Sequence, residues 1–308
     1  MTRPSKSNQP PRLLDRVRGA IRSRGMSPRT EKTYVGWIRR FILFHDKRHP
    51  AEMGPEEVTE FLTSLAVEHK VAPATQNQAL CALLFLYGRV LGQPMPWLND
   101  LVRAKRPRRL PVALTRAEVR AVLEQLAGVS RLVSTLLYGS GLRLLECLQL
   151  RIKDVDLASC TITVRAGKGN KDRVTVLAKA LVRALLEHLD TVKLQHDADL
   201  RRRAGWVELP SSLGRKYPNA GRDWRWQWVF PATRTYRHPE TGQRRRHHLH
   251  ESAIQRAMAK AVRRSGITKR ASCHTLRHYP EPRIMRSVNQ PSAVLPADLR
   301  QGGEGRSA

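Results

Sequence analysis

Apolar side chains recur at helical spacing along residues 13–91. Leu13, Leu14, Val17 and Ile21 form one stripe, closed by Gly25. Ser27-Pro28 opens a second helix, with proline at the first helical position and Glu31 placed against the positive helix end. Its inward face is Tyr34, Trp37, Ile38, Phe41 and Phe44. A third helix starts after Gly54-Pro55 and buries Val58, Phe61, Leu62 and Leu65. A fourth runs from about Thr75 through Leu80, Leu83, Leu84, Tyr87 and Leu91, until Gly92 and Pro94 stop it. Helices this short can bury their stripes only against each other, so residues 13–101 are expected to form a small all-α domain. Residues 1–12 are polar and basic and read as a flexible arm.

The periodicity then fails. In 102–111 Arg106, Arg108 and Arg109 crowd around Pro107, close to Arg103 and Lys105, as a basic linker that is either a solvated tether or a strap along a phosphate backbone. Helical spacing resumes after Leu114-Thr115 with Glu118, Val119, Val122, Leu123 and Leu126, and again over Leu132 to Tyr138. At Val155, Leu157, Cys160, Ile162 and Val164 the period shortens to that of a strand. Arg173 to Leu177 reads as its hairpin partner across the turn GKGNKDR, residues 167–173, which carries Lys168 and Lys171. Leu181–Leu189 is helical, and Ile254, Ala257, Met258, Ala261 and Val262 give a last helix that ends at Gly266. The fold class is mainly α with a small antiparallel sheet (α+β), the second domain spanning 112–278.

Composition changes the picture through charge. The 308 residues hold 56 Lys and Arg against 26 Asp and Glu, a formal net charge of +30, and this excess runs through both halves. That points to a polyanionic partner. Nucleic acid is favoured over anionic membrane because no long apolar span, signal peptide or lipidation motif is evident. Cys81, Cys147, Cys160 and Cys273 fall singly in apolar segments, as buried reduced thiols would. A cytoplasmic, nucleoid-associated protein is expected.

Candidate chemistry begins at Tyr138–Leu150, YGSGLRLLECLQL. Its glycines break the chain into a turn that delivers Arg143 to the start of a helix, with Glu146 one turn on and Leu145, Leu148 and Leu150 inward. A pair at this spacing is commonly a solvated surface pair. Residues 198–250 carry LRRRAGWVELP, RKYPNAG, WRWQWVFPA and RRRHHLH. Trp224, Trp226 and Trp228 alternate, so an extended segment would show one tryptophan face, either clamping an insertion to the domain or stacking unpaired bases. His247, His248 and His250 have no carboxylate or cysteine at ligand spacing, so no metal is expected. The motif HTLRH, residues 274–278, brings His274 and Arg277, and from Pro280 onward prolines and glycines suit a disordered tail over 279–308. Two arginines, a lysine and a histidine suit phosphodiester displacement. Forked guanidiniums match the non-bridging oxygens, while lysine and histidine can move the protons.

Arginine, then lysine in a β-turn, then His-x-x-Arg resembles the tyrosine recombinase (phage integrase) family. SGLRLLECLQLRIKDVD, GKGNKDR and HTLRH are similar to its motifs in the same order, over roughly residues 13–278. RKYPNAG and WRWQWVF resemble the insertion of integron integrases, which move gene cassettes. The resemblance implies a helical core-binding domain and a catalytic domain closing on DNA as a C-shaped clamp. It also implies Arg143 and Arg277 on the scissile phosphate, Lys168 as general acid, His274 assisting proton transfer and Glu146 in support. No cofactor or metal is implied. The implied partners are double-stranded attachment sites and folded single-stranded cassette sites, bound by a homotetramer. After HTLRH the family continues with an apolar helix and the nucleophilic tyrosine, and this sequence does not. Tyr279 directly follows the motif, so no nucleophile is assigned. The expectation is a truncated or frameshifted integron integrase that breaks and rejoins no DNA. The alternatives are a catalytically dead DNA-binding remnant and an unrelated DNA-binding regulator.

Overall fold

The computed structural model describes residues 11–93, 112–165, 171–210 and 213–277. The basic linker residues Arg103, Lys105, Arg106, Arg108 and Arg109, the turn lysine Lys168, and the tail 279–308 lie outside the described residues. Two compact units divide the chain, Met1–Arg109 and Leu110–Ala308.

In the first unit, helices α1 (Leu13–Ser23), α2 (Pro28–Phe44), α3 (Pro55–Val67) and α4 (Pro73–Phe85) surround one apolar core. The Ser27 hydroxyl accepts the Thr30 amide at 3.1 Å and so caps α2, while Arg22 grips both oxygens of Glu31 at 2.8 Å. Val17, Ile38, Phe41, Val58, Leu83 and Tyr87 are fully buried. The expected fourth helix is two pieces. After α4 the chain widens into a π-turn over Leu86–Leu91, which ends on left-handed Gly92 (φ 70°). The wider turn buries the adjacent Leu86 and Tyr87 together.

The second unit opens with α5 (Arg116–Glu124), capped reciprocally by Thr115 and Glu118, followed by α6 (Gly128–Ser140) and the short α7 (Leu144–Leu148). A three-stranded antiparallel sheet comes next, β1 (Val155–Asp156), β2 (Thr161–Val164) and β3 (Arg173–Val176), in that spatial order, with Val164 opposite Arg173. The single strand expected from Val155 to Val164 is thus broken. The Asp156 carboxylate accepts the Ala158 and Ser159 amides at 2.9 Å, and Cys160 takes φ 51°. Helix α8 runs over Lys179–Arg201, well past the expected Leu189, so the expected insertion over 198–250 begins inside a long helix. It holds α9 (Leu213–Lys216), turns at Ala220–Arg222 and Trp224–Trp226, and a hairpin of β4 (Pro231–Arg237) with β5 (Arg244–His248). Helix α10 (Glu251–Arg264) returns to the core beside α6 and α5.

Two expectations about burial need correction. Cys81 is exposed on α4, and Cys160 is only half-buried because it sits in the turn between β1 and β2, packed against the edge of the core; Cys147 and Cys273 are buried. Leu145 is 37% exposed while Leu148 and Leu150 are in the core, since only the latter two fall on the packed side of α7. No described helix is long and apolar enough to cross a membrane.

Candidate functional site

Gly141 ends α6 in the left-handed conformation (φ 61°), which turns the chain sharply enough to set Arg143 at the N-cap of α7. Glu146 binds back to that cap. Its Oε2 accepts the Arg143 amide at 2.8 Å and its Oε1 accepts Arg143 Nη1 at 2.6 Å. The pair is therefore no solvated surface pair. Glu146's side chain is only 9% exposed, and Arg173 at the start of β3 donates to both of its oxygens at 3.0 and 2.6 Å. Burial alone would raise the Glu146 carboxyl, but the hydrogen bonds from Arg173 and from the Arg143 amide and side chain outweigh it and hold the pKa down at about 2.

Arg277 closes a short turn, Thr275–Arg277, anchored by Leu276 and Cys273 in the core beside α6. Its guanidinium loses some proton affinity through burial first and then through the positive charges of Arg143 and Arg173, with Glu146 opposing. The fold thus gathers Arg143, Glu146 and Arg277 at one place. His274 is exposed on the same turn, its carbonyl accepting the Arg277 amide at 3.2 Å. Strand β3 reaches this place through Arg173, a residue sequence reasoning did not single out. Only the structure shows that in β3 Arg173 and Thr175 are the half-buried positions while Val174 and Val176 are 65% and 52% exposed, the reverse of the usual strand alternation. Lys171 is exposed at the base of the hairpin.

Beside Arg143 and Glu146 opens a cavity of about 1120 Å³, walled on the far side by the insertion through Trp226, Trp228, His247 and His248. The tryptophans do not form one extended face. Trp224 and Trp226 lie on a tight turn and Trp228 is 8% exposed, because residues 227–229 pair with residues 150–152 of the domain. The insertion is clamped by a buried cation. Arg151 lies 3.9 Å from the Trp228 ring centre and donates to the carbonyls of Trp226 and Glu208 at 2.6 and 2.7 Å. Burial lowers its pKa to about 10. Lys153 sits 3.6 Å over Trp226, inside the cavity wall. A second buried cation, Arg246, pairs with Asp199 at 2.8 and 2.9 Å and takes the carbonyls of Ala232 and Thr233. Among the described residues no group of His, Cys, Asp and Glu is placed to hold a metal ion.

In the first unit a smaller groove of about 450 Å³ lies between the starts of α2 and α4, lined by Ser27, Arg29, Thr30, Thr33, Asn77 and Gln78 among others. Its lining is mostly hydrogen-bonding side chains.

Comparison with known proteins matches both units. The family model "Phage integrase, N-terminal SAM-like domain" matches residues 13–97, and "Phage integrase family" matches residues 113–294. An "Integrase/recombinase" of Escherichia coli is 47% identical over 276 residues, 90% of this chain and 82% of that protein, and a protein so named from Pseudomonas aeruginosa gives the same figures. A lambda integrase tetramer bound to a Holliday junction is similar in fold (TM-score 0.57, 15% identity, 86% of this chain and 67% of that one). So is XerH recombinase bound to difH substrate (TM-score 0.54, 18% identity, 88% and 74%).

Proposed function

The chain belongs to the phage integrase family of tyrosine recombinases, and from that premise we propose that Arg143 and Arg277 together grip one DNA phosphate. The observation that carries this is their convergence, close enough that the charge of Arg143 disfavours the charged form of Arg277. Two guanidiniums forced together are stable only with an anion between or beside them. Glu146 supplies part of that compensation, and a phosphodiester supplies the rest. Negative charge growing on the non-bridging oxygens during displacement would meet forked donors already in place. Lys168 gives a proton to the departing 5′-oxygen, and His274 assists proton transfer. No metal or cofactor is needed for that division of labour. Membership of the family leaves no room for the unrelated regulator.

The covalent step needs an oxygen nucleophile, which in this family is a tyrosine that attacks phosphorus as the 5′-oxygen leaves. After Arg277 this sequence has one tyrosine, Tyr279, two residues from the phosphate-gripping arginine. We assign it no such role, so residues 1–308 by themselves are expected to bind DNA without cleaving it. A nicked suicide substrate tests this. The expected result is salt-sensitive binding with no protein–DNA adduct surviving denaturation. Recovering an adduct overturns the inactive reading, and its disappearance in Tyr279→Phe would name the nucleophile.

The cavity favours the integron type within the family. Trp226, His247 and His248 help wall a space beside Arg143 large enough for an unpaired base, and aromatic faces bind bases regardless of sequence. The substrate would then include folded single-stranded cassette sites, with four copies assembled on two sites. Hairpin DNA with extrahelical bases should bind more tightly than the matched perfect duplex, and Trp226→Ala should erase the difference.

A further inference from the structure

The three-stranded sheet of the second unit has an edge strand whose polar side chains face inward, and both of them end on the arginine-bearing turn. Thr175 Oγ1 donates to the carbonyl of Ser140, the last residue of α6, at 2.9 Å. Two residues earlier Arg173 forks onto Glu146. Strand β3 therefore fastens the turn at both ends, before Gly141 and after Arg143. Between these fixed points Arg143 is held by its own amide and one terminal nitrogen on Glu146, while its side chain remains 35% exposed along the cavity.

Glu146 has two oxygens and takes four donors on them, from two guanidiniums and one amide. Without Arg173, the carboxylate would face Arg143 alone. A planar guanidinium opposite a free carboxylate takes the bidentate arrangement, which turns both terminal nitrogens toward Glu146 and away from the cavity. With Arg173 in place, Glu146 is already forked, and it can offer Arg143 one nitrogen's worth of contact. We propose that Arg173 is a positioning residue: by saturating Glu146 it keeps the remaining donors of Arg143 free for phosphate and ties β3 to the arginine turn. This rests on the reading of Arg143 as a phosphate ligand. Arg173 itself touches no phosphate, and its effect on DNA passes through Glu146.

Two measurements on the full chain test the idea separately. The first needs no DNA: the Glu146 carboxyl is followed by carbon NMR across pH, assigned by Glu146→Gln. In the native chain it stays ionised down to about 2, and in Arg173→Gln its midpoint rises by at least one pH unit. An unmoved midpoint overturns the proposal. Arg165→Gln, which removes a different cation of the same hairpin, one paired with Asp154, leaves the midpoint where it was. The second uses mixed-sequence duplex DNA and the slope of log affinity against log salt. Losing one phosphate contact flattens that slope by about 0.9. Arg143→Ala and Arg173→Gln are each expected to flatten it by about that amount, and the double variant by no more than either. Flattening of about 1.8 in the double variant would make Arg173 an independent phosphate ligand and refute a positioning role, as would a wild-type slope in Arg173→Gln. If Arg143→Ala alone binds like the native chain, the phosphate reading fails instead, and the carboxyl titration still decides whether Arg173 governs Glu146. Should Arg173→Gln not fold, Arg173→Lys keeps the charge and loses the fork. It is expected to melt like the native chain yet show the flattened slope, and a native slope would count against the proposal.

Discussion

Replacing Glu146 by glutamine removes one negative charge from between two guanidiniums and leaves the shape nearly unchanged. In the folded chain the carboxyl titrates at about 2 against an ordinary 4.5. Each pKa unit is worth about 1.4 kcal/mol, so the ionised carboxylate stabilises the second unit by about 3 kcal/mol at neutral pH. The folded value lies below the unfolded one, so the stabilisation is complete above about pH 4.5 and is lost as pH falls toward 2. The native chain should therefore exceed Glu146→Gln by about 3 kcal/mol at pH 7, and linkage shrinks that gap to roughly 1.4 kcal/mol at pH 3. Urea unfolding at several pH values, followed by the fluorescence of Trp206, Trp224, Trp226 and Trp228 in the second unit, measures the gap directly. A gap that stays constant from pH 7 to pH 3 would refute the argument, because the loss would then come from packing and owe nothing to ionisation.

Other consequences are independent of that carboxylate. Arg151→Met strips the cation from Trp228 and leaves the carbonyls of Trp226 and Glu208 without their donor, which should cost about 2–4 kcal/mol and be visible as a lowered melting temperature with loss of near-ultraviolet tryptophan dichroism. Asp199→Ala leaves Arg246 buried without its anion, and a loss of about 3–5 kcal/mol is expected in the same melt. Burial lowers the pKa of His188, His196 and His248, so the fold prefers them neutral. Because the unfolded chain takes up protons first, the second unit should lose stability as pH falls below about 6.5, and a melting temperature flat between pH 7.5 and 5.5 would contradict this. Val174→Lys, on the exposed face of β3, should change stability by less than about 0.5 kcal/mol while leaving DNA affinity within the range expected of one added surface charge.

Much of this was legible in the residue pattern, and what was not has identifiable causes. The helical stripes of the first unit, Val17 and Ile21 or Val58, Phe61, Leu62 and Leu65, pack as their spacing requires, because in so small a bundle burial is decided by periodicity. Arg143, Glu146 and Arg277 could be chosen because each sits at a local break, a glycine turn or a short motif, that the sequence displays. Arg173 could not, since its importance lies in a cross-strand register and in a carboxylate 27 positions away. The tryptophans misled for a related reason. Alternation at Trp224, Trp226 and Trp228 has the period of a strand, but Asp223 caps a tight turn by accepting the Arg225 amide at 3.0 Å, and only Trp228 reaches the paired segment. The buried Arg151 was invisible as well, because a lone arginine following a leucine stripe reads as surface until its aromatic partner is known.

The central claim is that two arginines from distant parts of the chain meet at one phosphate. The salt dependence of duplex binding for Arg143→Ala, Arg277→Ala and the double variant tests it most directly, since the slope counts phosphates neutralised and each is worth about 0.9. A shared phosphate predicts that the double variant flattens the slope by no more than about 0.9, each single variant by that amount or less. Single variants that each flatten it by that amount and a double variant that flattens it by about 1.8 would place the two guanidiniums on different phosphates and contradict the account.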